Sequence, residues 1–162
     1  MLKRRVNIRV ENHTNVKWTA INAAFSSGTS DTFLPDEIAP SGAVQFLGVQ
    51  RSFSIFTGTA GVFTYSILSE DGSPWKTLAV MWTVPFDYNI WRSNFWNVKV
   101  YDTKEMLATR VVFKQMWRRE GEPVKGEDNW KEFKLNDEFT AKGCMTSNSN
   151  SKLIIKVYEN SS

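Results

Sequence analysis

The sequence predicts a mainly β fold: a compact β-sandwich that forms one domain over residues 1–162, flanked by one short helix. Short segments rich in β-branched and aromatic residues recur along the chain, separated by turn-forming residues. No helical stretch alternates regularly with these segments, which argues against a parallel α/β sheet. A chain of 162 residues can bury one good core but is short for two ordinary domains.

The first strands are predicted near the N-terminus. Val6, Ile8 and Val10 share one face of an alternating segment, and the polar run 11–15 is typical of a turn. A second strand is predicted over 16–25. We therefore expect two antiparallel strands to open the domain.

The later strands are separated by turn signals. A loop is predicted at 26–31, and Pro35 and Pro40 exclude a central strand between them. The Asp71-Gly72 pair predicts a β-hairpin. The remaining strands are predicted at 43–49, 52–56, 62–68, 76–84, 95–101 and 153–158.

One segment has helical rather than strand spacing. Between 109 and 119, Phe113, Met116 and Trp117 recur three and four residues apart, without proline or glycine. This spacing predicts one short helix. The charged, glycine-containing stretch 120–128 and the polar stretch 147–151 are predicted to be loops.

Catalytic and metal-binding patterns are missing from the sequence. His13 is the only histidine and Cys144 the only cysteine, so a paired-histidine zinc site and an internal disulfide are both excluded. Phosphate-binding glycine loops are missing as well. The sequence therefore predicts a protein that is not an enzyme and that has no cofactor or metal site.

The formal net charge of +3 is spread along the chain. This charge suits an anionic membrane as well as a nucleic acid and does not decide between them. The basic residues 3–5 are followed by an alternating segment, not by the apolar region of a signal peptide. Because no run of about 18 apolar residues occurs, we expect a soluble chain without a membrane-spanning helix.

The segment 81–96 contains more large rings than an ordinary exposed turn. Proline, aspartate and asparagine residues break its strand pattern and predict a loop. Phe86 and Trp96 are the rings that we expect in the core. The candidate membrane-interface set consists of Tyr88, Ile90, Trp91, Phe95 and, as an alternative to its core position, Trp96.

Amphipathic rings favour the zone between lipid headgroups and acyl chains. A fully buried ring covers roughly 150–250 Å² and contributes roughly 4–6 kcal/mol, at about 25 cal/mol per Å². A basic residue near an anionic surface adds only about 1 kcal/mol. We therefore expect ring insertion, rather than net charge, to dominate any membrane affinity. The alternative is that the loop packs internally.

Several blocks of this sequence, in the same order and at matching spacing, resemble the actinoporins, the family of sea-anemone pore-forming toxins. The blocks include Val-Pro-Phe-Asp-Tyr-Asn at 84–89, Ser-Asn-Phe-Trp-Asn-Val at 93–98, Trp-Thr-Ala-Ile-Asn at 18–22 and Gly-Cys-Met-Thr-Ser at 143–147. The resemblance spans roughly residues 3–157. It implies a secreted protein with a β-sandwich that recognises phosphocholine headgroups in sphingomyelin-containing membranes. Members then assemble into a cation-conducting pore.

The resemblance carries a lipid-headgroup pocket over to Ser27, Ala60, Thr83, Pro85, Trp91, Phe113, Trp117 and Arg118. Ser27 and Pro85 agree with the family pattern, and Thr83 keeps a hydroxyl where serine is usual. Alanine replaces a valine at position 60, and tyrosines are replaced at the last four positions. The rings can still face a quaternary ammonium, while Arg118 can bond a phosphate or sulfate. The expected partners are therefore sphingomyelin, phosphatidylcholine or an acidic, sulfated lipid.

The N-terminal residues Lys3-Arg4-Arg5-Val6 resemble the stretch where family members pass from an amphipathic helix into the first strand. We therefore expect that helix to be missing from this chain, and self-association into a pore to require it. The alternative function is a carbohydrate-binding module, because fungal fruit-body lectins resemble actinoporins in fold. Nucleic acid is not an expected partner.

Overall fold

Two β-sheets pack face to face in this computed structural model, which describes residues 3–51, 58–88, 93–103 and 108–161. The strands are β1 (Arg5–His13), β2 (Trp18–Ser27), β3 (Glu37–Ile38), β4 (Ala43–Val49), β5 (Thr59–Leu68), β6 (Pro74–Val84), β7 (Phe95–Asp102), β8 (Val124–Lys125), β9 (Trp130–Lys134), β10 (Phe139–Met145) and β11 (Asn150–Glu159). One sheet has the order β4-β1-β11-β10-β9 and the other β3-β2-β5-β6-β7-β8. The predicted β-sandwich is confirmed.

The helix α1 (Thr109–Trp117) confirms the predicted short helix, and a 3-10 turn (Arg119–Gly121) follows it. Its apolar side lies on the outer face of the six-stranded sheet. The side chains in this small cluster are Val62, Ala79 and Met81 of the sheet and Val112, Phe113 and Met116 of the helix. No helix among the described residues is long and apolar enough to cross a membrane.

The pairing of β1 differs from the prediction. β1 pairs in parallel with β11 and antiparallel with β4, whereas β2 belongs to the other sheet. The expected antiparallel pair of β1 and β2 is therefore wrong. At the crossing between the sheets, Asn12 is fully buried and donates hydrogen bonds from Nδ2 to the carbonyl oxygens of Val16 at 2.9 Å and Ala39 at 3.2 Å. These bonds lead the chain out of one sheet and into the other.

The C-terminal third contains strands that the sequence pattern did not reveal. β9 and β10 were not predicted, and β8 lies inside the predicted loop 120–128. Gly143 occupies an inward-facing position of β10, where an added Cβ would lie 2.3 Å from Cη2 of Trp96. Because the core requires a position without a side chain there, the alternation of apolar and polar residues is weak in β10.

The turn between β5 and β6 confirms the predicted Asp71-Gly72 hairpin. Gly72 has φ of +86°, which glycine adopts readily, and Asp71 Oδ1 accepts a hydrogen bond from the Ser73 amide at 2.9 Å. Hydrogen bonds from Ser69 and Ser73 hold the pKa of Asp71 at about 2. The predicted strand 52–56 lies outside the described residues.

Candidate functional site

A row of four residues crosses the outer face of the six-stranded sheet near one end of the sandwich. Ser27 on β2 pairs with Ala60 on β5, Ala60 pairs with Thr83 on β6, and Thr83 pairs with Phe95 on β7. Directly opposed residues on neighbouring strands present their side chains on the same face. The floor that the sheet forms therefore consists of the Ser27 hydroxyl, the Ala60 methyl group, the Thr83 hydroxyl and the Phe95 ring.

The helix α1 supplies one wall above this floor. Phe113 and Trp117 lie four residues apart and therefore on the same side of the helix. The Trp117 ring meets the Phe95 ring edge to face, with centroids 5.3 Å apart. The floor and walls enclose a cleft of about 350 Å³, lined by Ser26, Ser27, Gly58, Ala60, Thr83, Pro85, Phe86, Ser93, Phe113 and Trp117.

The Thr83 hydroxyl has no hydrogen-bond partner among the described residues. Thr83 is 8% exposed, and its Oγ1 is buried. Burying a hydroxyl without a partner destabilises a fold by roughly 1–3 kcal/mol, so such groups are uncommon in folded proteins. Ser27 and Ser93 bring further hydroxyls to the same cleft. The cleft thus combines hydroxyl groups, which can donate to an oxygen-rich group, with the aromatic rings of Phe86, Phe113 and Trp117.

The position of Trp117 depends on Asn97, which is 1% exposed on β7. Its Nδ2 donates hydrogen bonds to the carbonyl oxygens of Met116 at 3.0 Å and Gly121 at 2.7 Å. These bonds tie the last turn of α1 to the sheet. This role was not predicted from the sequence, where the signal is an asparagine between the apolar residues Trp96 and Val98 of a strand.

The loop 85–88 forms another wall of the cleft through Pro85 and Phe86. At its end, the half-buried Tyr88 donates a hydrogen bond from its hydroxyl to Asn94 Oδ1 at 2.8 Å. Asn94 is fully buried, and its Nδ2 donates to the carbonyl oxygens of Thr146 and Asn148, both at 2.9 Å. Burial raises the pKa of the Tyr88 hydroxyl. Asn94, also missed by the sequence analysis, therefore joins this loop to the turn after β10.

The structure brings together most of the predicted headgroup-pocket residues. The cleft is lined by Ser27, Ala60, Thr83, Pro85, Phe113 and Trp117. Arg118 is exposed and is not among the lining residues. Trp91 lies outside the described residues, as does Ile90.

The predicted membrane-interface residues divide between surface and core. Tyr88 and Phe95 are partly exposed, whereas Trp96 is 1% exposed and belongs to the core between the sheets. The expectation that Trp96 faces the membrane is therefore wrong, and its core position is confirmed. Phe95 and Trp96 are neighbours on β7, so their side chains point to opposite faces of the sheet.

The titratable side chains outside the cleft are also placed by the structure. No group of three or more histidine, cysteine or acidic side chains within the described ranges is placed to hold a metal ion. The part of the cleft lining that the structure describes carries no charged side chain. Cys144 is a free thiol elsewhere, on β10, and burial together with Asp128 raises its pKa.

Comparison with protein families and relatives gives consistent matches. The model of the family described as sea anemone cytotoxic protein matches residues 1–159. Nigrelysin of Anthopleura nigrescens is 38% identical over 156 residues, which cover 96% of this chain and 69% of that protein. DELTA-alicitoxin-Pse1b of Phyllodiscus semoni is 36% identical over 157 residues, covering 96% of this chain and 66% of that protein. The chain thus spans about two thirds of the length of these relatives.

Solved structures with low sequence identity share the fold. The lipid binding protein Nakanori superposes with a TM-score of 0.75 at 13% identity, covering 98% of this chain and 72% of that one. The Xerocomus chrysenteron lectin XCL superposes with a TM-score of 0.59 at 14% identity, covering 96% of this chain and 99% of the lectin. At these identities the similarity shows the fold alone.

Proposed function

The chain belongs to the family of sea anemone cytotoxic proteins, the actinoporins, whose members are pore-forming cytolysins that bind membrane lipids, and we propose that it binds a lipid headgroup in the cleft beside α1. In this proposal the protein is secreted and meets its target membrane from outside the cell. Self-association into a pore on the membrane belongs to the same proposal and concerns the whole protein.

The observation that carries the proposal is the Thr83 hydroxyl, which has no partner among the described residues and lies in a cleft lined by three aromatic rings. A phosphodiester has oxygen acceptors that can take hydrogen bonds from Ser27 and Ser93, and from the buried Thr83 hydroxyl once its side chain rotates toward the cleft. A quaternary ammonium gains roughly 0.5–2 kcal/mol from an aromatic face such as that of Trp117. A headgroup that carries both groups would use both sides of the cleft.

The lining of the cleft favours a zwitterionic headgroup over an acidic one. The acidic or sulfated lipid was expected only because Arg118 was expected in the pocket. Arg118 is not among the described residues that line the cleft, and none of these described lining residues is charged. Among these described residues a net negative headgroup finds no counter-charge, whereas phosphocholine carries its own. We accordingly favour sphingomyelin and phosphatidylcholine.

A matched pair of tryptophan variants tests the proposal. Trp117→Ala removes a cleft wall, whereas Trp130→Ala removes a ring that is 51% exposed on β9 and lies outside the cleft. We expect Trp117→Ala to weaken sedimentation with sphingomyelin–phosphatidylcholine vesicles roughly tenfold, since an aromatic contact to a desolvated cation is worth up to about 2 kcal/mol. Trp130→Ala should bind as the unmodified protein does.

Two outcomes would contradict the proposal. One is equal vesicle binding by both variants, because the cleft would then contribute nothing. The other is binding to a glycan array without binding to vesicles, which would favour the carbohydrate-binding alternative. Circular dichroism of both variants serves as the folding control.

A further inference from the structure

Arg4, which lies just before β1, reaches across to the loop 85–88. Its Nε and Nη2 both donate to the carbonyl oxygen of Phe86, at 3.2 and 2.5 Å, and its guanidinium carbon lies 5.5 Å from the centroid of the Tyr88 ring. We propose that Arg4 is a positioning residue that holds this loop beside the cleft. The proposal rests on the proposed function, because the loop matters through the cleft that it lines.

The backbone of Arg4 is held in place by two hydrogen bonds to Gln50. The Arg4 amide donates to Gln50 Oε1 at 2.7 Å, and the Gln50 amide donates to the Arg4 carbonyl at 2.9 Å. Gln50 directly follows β4, so residue 4 is held to the end of the five-stranded sheet. The guanidinium thus extends from a held backbone in one sheet to a loop that leaves the other.

The loop is held from two directions. Arg4 donates to the Phe86 carbonyl oxygen, and its guanidinium lies over the Tyr88 ring. Asn94 Oδ1 accepts the hydrogen bond of the Tyr88 hydroxyl at 2.8 Å. Phe86 itself lines the cleft. Removing Arg4 would leave the Phe86 carbonyl without both of these donors and the Tyr88 ring without its cation. The loop that forms this cleft wall would then be held less firmly, whereas the core between the sheets would not change.

The chemistry of this contact favours arginine over lysine. A planar guanidinium can direct two N–H groups at one carbonyl and still lie against an aromatic ring. A lysine ammonium keeps the charge but lacks the planar pair of donors. A second role for Arg4, general attraction of an anionic surface, would depend only on charge. Arg4→Lys should therefore restore binding fully if only charge matters, and only in part if the guanidinium holds the loop.

The test compares Arg4→Gln and Arg4→Lys with Arg9→Gln, a control that removes the same charge. Arg9 pairs with Glu11 on β1 and makes no described contact with the loop. Binding is measured on vesicles of sphingomyelin and phosphatidylcholine. We expect Arg4→Gln to bind roughly three- to tenfold more weakly, the range for losing one charged hydrogen bond and a cation–π contact in part. Arg4→Lys should recover only part of this loss, and Arg9→Gln should bind normally.

Measurements without vesicles separate this proposal from the proposed function. Amide hydrogen exchange at residues 86–88 should become faster in Arg4→Gln and stay unchanged in Arg9→Gln. Burial raises the pKa of Tyr88 and the nearby Arg4 charge lowers it, so Arg4→Gln should raise that pKa further. Comparison with a Tyr88→Phe variant, which lacks this hydroxyl, identifies the part of the tyrosinate absorbance that belongs to Tyr88. These readouts apply even if no form of the protein binds vesicles.

Distinct results would overturn the role of Arg4. Equal exchange at residues 86–88 in Arg4→Gln and Arg9→Gln would show that the loop is held without it. Full recovery of binding by Arg4→Lys, or equal weakening by Arg4→Gln and Arg9→Gln, would show that only charge matters. If the unmodified protein does not bind vesicles, the lipid function is rejected. The hydrogen-exchange result then decides alone whether Arg4 holds the loop.

Discussion

Thr83 illustrates at the scale of one residue how a binding group can weaken a fold. Its buried hydroxyl has no partner among the described residues, although it lies on the floor of the cleft. Thr59, one strand away, is the opposite case: it is 1% exposed, and its Oγ1 accepts a hydrogen bond from Trp82 Nε1 at 3.0 Å. The two threonines therefore offer a matched pair.

Thr83→Val should stabilise the protein and weaken its lipid binding. The change removes a buried, unpaired hydroxyl, which should raise the free energy of unfolding by about 1–2 kcal/mol. The same change removes a headgroup donor from the cleft. Urea denaturation and vesicle sedimentation measure the two effects on the same samples.

Thr59→Val is the control for this pair. It leaves Trp82 Nε1 unpaired, so the free energy of unfolding should fall by about 1–3 kcal/mol. A Thr83→Val variant that is destabilised like Thr59→Val would show that the Thr83 hydroxyl has a partner in the folded chain. Unchanged vesicle binding by Thr83→Val would remove this hydroxyl from the headgroup site.

At the scale of elements, the cleft depends on how α1 sits on the six-stranded sheet. The apolar contacts of Met116 and Val112 bury one side of the helix. Asn97 donates hydrogen bonds to the carbonyl oxygens of Met116, in its last turn, and of Gly121, in the 3-10 turn that follows. The opposite end has a weaker tie, because Asn22 Nδ2 donates to Thr109 Oγ1 at 3.3 Å in an exposed position. The two ends of the helix therefore contribute unequally to its placement.

Asn97→Ala should destabilise the fold and loosen the cleft together. The variant leaves the carbonyls of Met116 and Gly121 without this donor, which should lower the free energy of unfolding by about 2–4 kcal/mol. Vesicle binding should weaken as well, because Trp117 ends the tethered turn. Asn22→Ala, the control, should change stability by less than about 1 kcal/mol, as expected for an exposed hydrogen bond. Equal effects of the two variants on stability and binding would contradict this account of the helix.

At the scale of the whole molecule, the fold separates the proposed lipid cleft from most of the charge of the described residues. The net charge is +3, yet none of the described residues that line the cleft is charged. Exposed ion pairs such as Lys17–Glu37 and Lys134–Asp137 contribute little to stability. Attraction to an anionic surface and recognition in the cleft are thus physically separate.

Binding to zwitterionic vesicles should therefore depend weakly on salt. Between about 0.01 and 0.15 M ionic strength the Debye length falls from about 30 to 8 Å, which screens exposed charges and leaves apolar contacts unchanged. We expect less than about a threefold change in affinity over this range, measured by surface plasmon resonance. Vesicles with added phosphatidylserine provide the comparison and should show a stronger dependence. A steep fall of binding with salt on zwitterionic vesicles would contradict the uncharged cleft as the main site.

The amino-acid sequence by itself determined the elements whose signals are local. The alternation in β1, the β-branched and aromatic content of β5 and β6, the Asp71-Gly72 turn and the spacing of Phe113, Met116 and Trp117 each lie within one short window. Periodicity needs no knowledge of the partner that an element packs against. The family resemblance added the positions of the cleft residues, because aligned blocks carry the fold of their relatives with them.

Only the tertiary structure decided which elements pair and which side of them is buried. β1 and β11 are parallel neighbours although they lie at opposite ends of the chain, a contact that no local window contains. Trp96 belongs to the core because Gly143, on the other sheet, leaves space for its ring. Arg4 and Asn94 meet the loop 85–88 from distant parts of the sequence. The physical reason is that burial and hydrogen bonding are satisfied between elements, whereas sequence patterns report only the preferences within each one.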